Sequence, residues 1–304
     1  VLTTLKSKSY RLPRYQVLEG AFQSVLDQFL ASLRAGKHVE GRGVVLCAES
    51  RSGKTHDMAR LLSAFSMAGG ELPSEYHRKA VSISLRTACT WKALGSECLL
   101  QLGYPSGLEQ RSADTVWRRT ESLMKRQGVC VLHIDEAQHL FQTMNAKEIK
   151  NALNGLKDLM KRPTSPVVLA LSGVPDLLEH LNTSEELLML LEPVSYSDMT
   201  YAPDTLREVD AMLVQFASVY DLDVSSLRDD DTYCRILHAC AGRWGRACEM
   251  VVSTIAAVVS SGRQEVGRED LAETFRRWTN VVPDGNVFLV KSPFAIQTKR
   301  LYAT

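Results

Sequence analysis

The chain has 304 residues, 45% of them hydrophobic and 23% charged, which fits a globular protein with one large domain or two modest ones. No apolar run approaches the roughly 20 residues of a membrane-spanning helix, and the cysteines show no zinc-ligand spacing, so we expect a cytoplasmic protein with reduced thiols, no membrane contact and no structural metal. The formal net charge of +1 excludes a global electrostatic attraction to nucleic acid, and any DNA binding would need a local basic patch.

The first predicted elements are a helix and a strand. Residues 1–13 look irregular. Apolar side chains recur at helical spacing over residues 15–34, which predicts an amphipathic helix. We therefore interpret residues 1–40 as an N-terminal segment with one helix. The apolar run at residues 43–48 predicts the first strand of the core.

The loop after this strand has the pattern of a phosphate-binding loop. Residues 48–55 read Ala-Glu-Ser-Arg-Ser-Gly-Lys-Thr and lead into a helix predicted over residues 54–67. Backbone N–H groups of such a loop bind a polyphosphate, with Lys54 at the outer phosphates and the Thr55 hydroxyl on Mg²⁺. Ala48 stands where the pattern has its first glycine. The candidate ATP-binding residues are Glu49, Ser50, Arg51, Ser52, Gly53, Lys54, Thr55 and His56.

Two carboxylates end another buried strand. Residues 80–85 predict the second strand, and helices follow over residues 90–102 and 112–126. The third strand is a nearly continuous apolar run that ends at Asp135 and Glu136. Asp135 would hold the hydration shell of Mg²⁺, and Glu136 would polarise the water that attacks ATP.

The remaining strands complete a parallel sheet. A helix is predicted over residues 146–160, a fourth strand over residues 167–171 with Ser172 at its end, and a weaker fifth strand over residues 194–200. Alternating strands and helices favour an α/β fold with a doubly wound, parallel five-stranded sheet flanked by helices. Phosphates should bind at the carboxyl ends of these strands.

The pattern changes near residues 200–204, where the strands stop. The helices predicted after this point cover residues 206–220, 229–241, 246–260 and 268–278. We place the nucleotide-binding α/β core at residues 41–202, a helical lid at residues 203–280 and an irregular C-terminal tail at residues 281–304.

The order of these features resembles that of the P-loop AAA+ ATPases. More narrowly, three segments are similar to the TniB/TnsC-like AAA+ ATPases of DNA transposition systems. They are Ile-Asp-Glu-Ala-Gln-His-Leu at residues 134–140, Ser-Gly-Val-Pro-Asp-Leu-Leu at residues 172–178 and Gly-Arg-Trp-Gly-Arg at residues 242–246. The resemblance covers roughly residues 10–280. It implies an ATPase with ATP and Mg²⁺ as its ligands.

The resemblance also implies two further catalytic residues beside Asp135 and Glu136. Ser172 takes the place of the residue that senses the γ-phosphate or positions water, and Arg246 takes the place of a lid cation that closes on the phosphates. Arg243 is the competing choice for that lid cation.

One departure concerns the arginine that a neighbouring subunit commonly supplies in this family. Residues 182–194 contain no arginine, and the nearest alternatives in sequence are Arg162 and Arg207. An arginine supplied in trans accelerates hydrolysis by about 10³–10⁵. Either another residue takes this role, or hydrolysis is slow and the ATP-bound state itself is the signal.

The function that the resemblance implies is regulation of transposition in a bacterial cytoplasm. ATP would drive assembly of a homo-oligomeric ring or helical filament on duplex DNA, which marks the target and recruits a transposase, with a target-selection protein as a further partner. Two alternatives stay open: a signalling or scaffolding ATPase that does not touch DNA, and an initiator-like or helicase-loading ATPase.

The candidate DNA surface follows the second predicted strand. Few carboxylates interrupt its basic and polar residues, which would contact phosphates with little sequence preference. The candidates are Arg86, Thr87, Lys92, Arg111, Arg118 and Arg119. The pair Arg276 and Arg277 in the lid is the next surface to consider.

Overall fold

The computed structural model describes residues 1–8, 10–35, 41–69, 72–73, 75–104, 111–162 and 165–298. The chain divides into two compact units. The sheet unit comprises residues 13–49 and 54–196, and the helical unit comprises residues 1–12, 50–53 and 197–304. The ends of two predicted segments, residues 36–40 and 299–304, lie outside the described residues.

The sheet unit contains a five-stranded parallel sheet, as predicted. The strand order is β2-β3-β4-β1-β5, and every neighbouring pair is parallel. The strands are β1 Gly43–Ala48, β2 Lys79–Ser84, β3 Val129–Asp135, β4 Val168–Gly173 and β5 Leu191–Tyr196. All residues of β1, β3 and β4 are buried, which explains why their sequences are nearly continuous apolar runs.

The helices α2 to α8 belong to the sheet unit, and α1 and α9 to α12 belong to the helical unit. Their bounds are α1 Leu2–Ser7, α2 Arg14–Arg34, α3 Lys54–Met67, α4 Trp91–Gln101, α5 Ala113–Arg126, α6 Ala146–Lys161, α7 Asp176–Leu181, α8 Glu185–Leu188, α9 Pro203–Ala217, α10 Asp230–Ala239, α11 Trp244–Ser260 and α12 Arg268–Thr279. A short 3₁₀ helix, Ala137–Leu140, follows β3.

Helices cover both faces of the sheet. On one face, α2 and α3 bury apolar side chains such as Phe29 and Phe65 together with Leu46 of β1. On the other face, α4 to α6 bury side chains such as Trp117 and Leu156 together with strand residues. Because every neighbouring pair of strands is parallel, all five carboxyl ends lie at one edge of the sheet.

The fifth strand and the N-terminus differ from the prediction. The strand covers Leu191–Tyr196 rather than residues 194–200, because Glu192 and Pro193 interrupt the apolar pattern, and an edge strand tolerates proline. Residues 1–13, predicted to be irregular, contain α1. Leu5 of this helix is fully buried in the apolar core of the helical unit. A helix of six residues is too short for its sequence pattern to predict this packing.

The helical unit has its own apolar core, formed by α9 to α12. The described part of the tail has only two short 3₁₀ turns, but it is part of this core, since Val287 and Phe288 are buried there. Buried Arg235 of α10 donates hydrogen bonds to the carbonyl oxygens of Val287 (2.6 Å) and Val290 (2.8 Å). None of the described helices is long and apolar enough to cross a membrane.

Candidate functional site

Five polar residues meet at the carboxyl edge of the sheet. Asp135 ends β3, Glu136 follows it, and the parallel register places Ser172 of β4 at the level of Asp135. The helix α3 begins at Lys54, so Lys54 and Thr55 lie in its first turn. All five were predicted from the sequence, and all five belong to the sheet unit.

Both oxygens of the Asp135 carboxylate accept hydrogen bonds. The Thr55 hydroxyl donates to Oδ2 at 2.9 Å, and the Ser172 hydroxyl donates to Oδ1 at 2.5 Å. Asp135 is only 3% exposed. A threonine hydroxyl beside a buried carboxylate is the hard-oxygen ligand set that Mg²⁺ prefers.

Lys54 and Glu136 form an ion pair at the same edge. Lys54 Nζ lies 3.2 Å from Glu136 Oε1, and the lysine side chain is only 4% exposed. Glu136 adopts a left-handed backbone conformation with φ of 54°, which is uncommon for a residue other than glycine and is often found at functional sites. The phosphate-facing lysine and the candidate base are therefore paired with each other in this structure.

Gln138 is a site residue that the sequence analysis did not single out. Its Nε2 donates to Glu136 Oε2 at 2.6 Å, and its Oε1 accepts a hydrogen bond from the Val174 N–H at 3.3 Å. This buried amide links Glu136 to the exit of β4. The available signal was a polar residue two positions after Glu136, within the short 3₁₀ helix Ala137–Leu140.

His133 of β3 is the second residue that the sequence analysis missed. It is 3% exposed, and its Nε2 lies 2.9 Å from Ser172 Oγ while its Nδ1 lies 2.8 Å from Ser82 Oγ. Burial lowers the pKa of His133 to about 4, against the opposing effect of the Asp135 charge, so the ring is neutral near pH 7. The sequence signal for this residue was its spacing: His133 lies two positions before Asp135, so the two side chains share one face of the strand.

The loop residues Ser50–Gly53 belong to the helical unit. Arg51 and Gly53 have positive φ angles of 62° and 102°. The Arg51 carbonyl accepts a hydrogen bond from the Arg246 N–H at 3.2 Å, and its guanidinium contacts Glu249 at 2.9 Å. A Cβ added to Gly245 would lie 2.7 Å from the Arg51 carbonyl oxygen. The backbone of the loop thus lies directly against the first turn of α11.

The Gly245 contact yields a stability prediction. Gly245→Ala should destabilise the protein by about 1–3 kcal/mol, because the added methyl meets backbone atoms that cannot move aside cheaply. Urea denaturation measures this change. The matched control is Gly20→Ala in α2, where a Cβ meets nothing within 4 Å and a helical alanine should stabilise. Equal free energies of unfolding for Gly245→Ala and the parent would contradict this close contact.

The two candidate lid arginines differ in their surroundings. Arg243 forms an ion pair with Asp198, so its charge is already compensated within the helical unit. Arg246 lies over the Trp278 ring, 5.6 Å from its centroid, and its buried Nε has no hydrogen-bond partner among the described residues. Arg246 therefore remains the better candidate for a phosphate-binding lid cation.

The candidate DNA-binding residues form more than one group. Arg111, Arg118 and Arg119 line one surface pocket, where Arg119 lies 4.9 Å from the centroid of the Tyr104 ring and Arg118 pairs with Asp114. The remaining candidates do not line this pocket: Arg86 and Thr87 are exposed in the loop after β2, and Lys92 lies in the first turn of α4.

The candidate trans arginines are both engaged in ion pairs. Arg162 contacts Glu121 at 2.5 Å and Asp158 at 3.2 Å, and it lies between α6 and β4, at the edge of the sheet opposite the site. Arg207 pairs with Asp204 in α9. The pairs of Arg162 argue against its use as an arginine supplied to a neighbour.

Comparison with known proteins identifies the domain that carries this site. A protein-family model described as an AAA domain matches residues 38–181, which include all five residues at the sheet edge. Residues 38–181 form an AAA domain. No curated protein sequence matches the chain.

Solved structures with the AAA+ fold extend the likeness beyond this AAA domain. Cdc6p from Pyrobaculum aerophilum matches with a TM-score of 0.63 and 15% identity over 89% of this chain and 69% of that chain. The Aeropyrum pernix ORC2 protein in ADPNP–ADP complexes matches with a TM-score of 0.61 and 12% identity over 88% and 71%. Drosophila ORC bound to DNA matches with a TM-score of 0.55 and 16% identity over 89% and 60%. At these identities the likeness establishes the fold alone.

Proposed function

We propose that this protein is a Mg²⁺-dependent ATPase whose ATP-bound form assembles on duplex DNA and regulates transposition. The observation that carries the ATPase part of this proposal is the hydrogen-bonded set at the sheet edge, in which Thr55 and Ser172 hold Asp135 while Lys54 holds Glu136. These residues fit Mg²⁺ and ATP: hydroxyl and carboxylate oxygens suit the ion, and a buried lysine whose partner is a carboxylate suits a phosphate oxygen.

The ion pair between Lys54 and Glu136 suggests how ATP binding prepares hydrolysis. A bound triphosphate competes with Glu136 for Lys54, because both offer anionic oxygens to one ammonium group. Glu136, still held by Gln138, is then able to orient water and accept its proton. Mg²⁺ supplies charge neutralisation at the phosphates, and Thr55 and Asp135 are the residues that would hold it.

The positions and ion pairs of the candidate trans arginines are consistent with slow ATP hydrolysis. Residues 182–194 contain no arginine, and Arg162 and Arg207 are paired with carboxylates. Without an arginine supplied in trans, turnover loses a factor of about 10³–10⁵. We infer that the ATP-bound state acts as the signal and that hydrolysis ends it.

Two functional contexts compete for this ATPase. The segments at residues 134–140, 172–178 and 242–246 resemble transposition regulators, which favours a transposase and a target-selection protein as partners. The fold likeness to Cdc6p and to ORC proteins favours an initiator-like or helicase-loading role. Both contexts involve DNA, whereas a scaffolding ATPase would bind protein partners alone.

The proposed DNA surface predicts the effect of a double variant. Arg111→Ala with Arg119→Ala should weaken binding to unrelated duplexes alike and lower the slope of log affinity against log salt by about 2, roughly 0.9 for each lost phosphate contact, since both side chains line one basic pocket. Fluorescence anisotropy with ATP, with ADP and without nucleotide, over a salt series, measures this. ATP should be required, because assembly multiplies a few contacts per subunit.

The matched control removes two charges elsewhere. Arg276→Ala with Arg277→Ala in α12 changes the net charge equally and should leave the salt slope unchanged. If the control weakens binding and the variant of Arg111 and Arg119 does not, the DNA surface lies on α12. If the parent binds no duplex in any nucleotide state, the scaffolding alternative replaces the DNA-binding proposal.

A further inference from the structure

A chain of hydrogen bonds runs from the edge strand to the candidate Mg²⁺ site. It begins at Ser82 of β2, an exposed residue, and passes through buried His133 of β3 and Ser172 of β4 to Asp135. The three distances are 2.8, 2.9 and 2.5 Å. The register aligns Ser82 with His133, so sheet pairing itself brings these groups together.

The direction of each bond follows from the donors available. An ionised carboxylate only accepts, so the single Ser172 hydroxyl proton is donated to Asp135. Ser172 Oγ must then accept from His133, which places a ring proton on Nε2. Nδ1 is left as an acceptor for the Ser82 hydroxyl.

We propose that His133 is a positioning residue, which acts through Ser172 to hold the Asp135 carboxylate in the orientation that binds Mg²⁺. The inference rests on the proposed Mg²⁺-dependent ATPase function. The His133 Nε2–H donates to Ser172 Oγ, which leaves the serine hydroxyl proton directed at Asp135. Groups that hydrogen-bond a metal ligand fix its orientation, and their loss typically costs about 10–100-fold in metal affinity or activity.

Packing alone does not account for a histidine at this position. The strand residues on either side, Leu132 and Ile134, are apolar and fully buried, and a buried imidazole is unfavourable unless both nitrogens are satisfied. An apolar side chain would fill this place in β3 without that requirement. The imidazole hydrogen-bonds Ser172, and Ser172 in turn hydrogen-bonds Asp135.

Two amide variants separate the bond to Ser172 from the space that the ring fills. In His133→Gln, the amide nitrogen reaches the position of Nε2 and keeps the donor to Ser172. In His133→Asn, the amide reaches only the position of Nδ1, so the contact with Ser82 remains and Ser172 loses its donor. The measurement is the Mg²⁺ concentration that half-saturates binding of a fluorescent ATP analogue, alongside binding in EDTA.

The expected result is an increase of at least about tenfold in this concentration for His133→Asn, and a value near the parent for His133→Gln. Binding in EDTA and the melting temperature should change little between the two variants. Identical Mg²⁺ midpoints for both variants, whether near the parent or raised, would overturn the proposal, because the bond to Ser172 would then make no difference.

A spectroscopic measurement on the unmodified protein is independent of activity. Imidazole ¹⁵N shifts should show His133 protonated at Nε2, and the Nδ1-protonated tautomer would overturn the proposal. A different failure belongs to the proposed function: if the parent binds the ATP analogue without any effect of Mg²⁺, the ATPase assignment is wrong even when the tautomer is as expected.

Discussion

Lys54→Ala should abolish ATP binding. Lys54 is the buried cation at the start of α3, and its partner in the structure is Glu136, 3.2 Å away. Its removal takes away the charge-assisted contact to the outer phosphates and leaves the Glu136 carboxylate with Gln138 as its remaining partner in the described site. Titration of a fluorescent ATP analogue with Mg²⁺ measures the dissociation constant.

A second lysine provides the control for this loss. Lys157 of α6 forms a surface pair with Glu186, away from the sheet edge, so Lys157→Ala should bind the analogue as the parent does. The melting temperature of both variants separates lost binding from lost folding. An unchanged dissociation constant for folded Lys54→Ala would mean that residues 48–55 are not a phosphate-binding loop.

Glu136→Gln should keep ATP binding and lower hydrolysis by about 10²–10⁴, the usual contribution of a general base. The amide keeps the shape of the side chain and its contact with Gln138, but it cannot accept a proton from water. Single-turnover phosphate release measures the chemical step directly.

Asp135→Asn distinguishes the roles of the two adjacent carboxylates. Asp135 accepts hydrogen bonds from Thr55 and Ser172, so this variant should weaken the Mg²⁺-dependent part of ATP binding rather than the proton transfer.

Phosphate release at the parent rate by Glu136→Gln would remove Glu136 from the catalytic role.

The sequence predicted the sheet and its edge because those signals are local. The loop at residues 48–55 and the pair Asp135 and Glu136 are contiguous motifs whose chemistry is visible in a short window. Parallel strands that are buried on both faces appear in a sequence as apolar runs, and this pattern allowed β1, β3 and β4 to be predicted correctly.

The features that sequence reasoning missed depend on contacts between distant residues. His133 acquires its partners only through strand register, since Ser82 is 51 residues away and Ser172 is 39 residues away. The tail was predicted only to be irregular. In the structure, Arg235 of α10 donates hydrogen bonds to the Val287 and Val290 carbonyl oxygens of the tail, and a contact over this sequence distance leaves no local sequence pattern. The candidate DNA residues show the same limit, because Arg118 and Arg119 of α5 line one pocket together with Arg111, whereas Arg86 does not line it.

The mass of DNA-bound particles formed by Glu136→Gln tests the central claim most directly. This variant should hold ATP without cleaving it, so the account predicts that mass photometry on a short duplex shows multi-copy assemblies with ATP and Mg²⁺ and no such assemblies with ADP. Particles of the same mass with ATP and with ADP would contradict the claim that the nucleotide site of this AAA domain controls assembly on DNA.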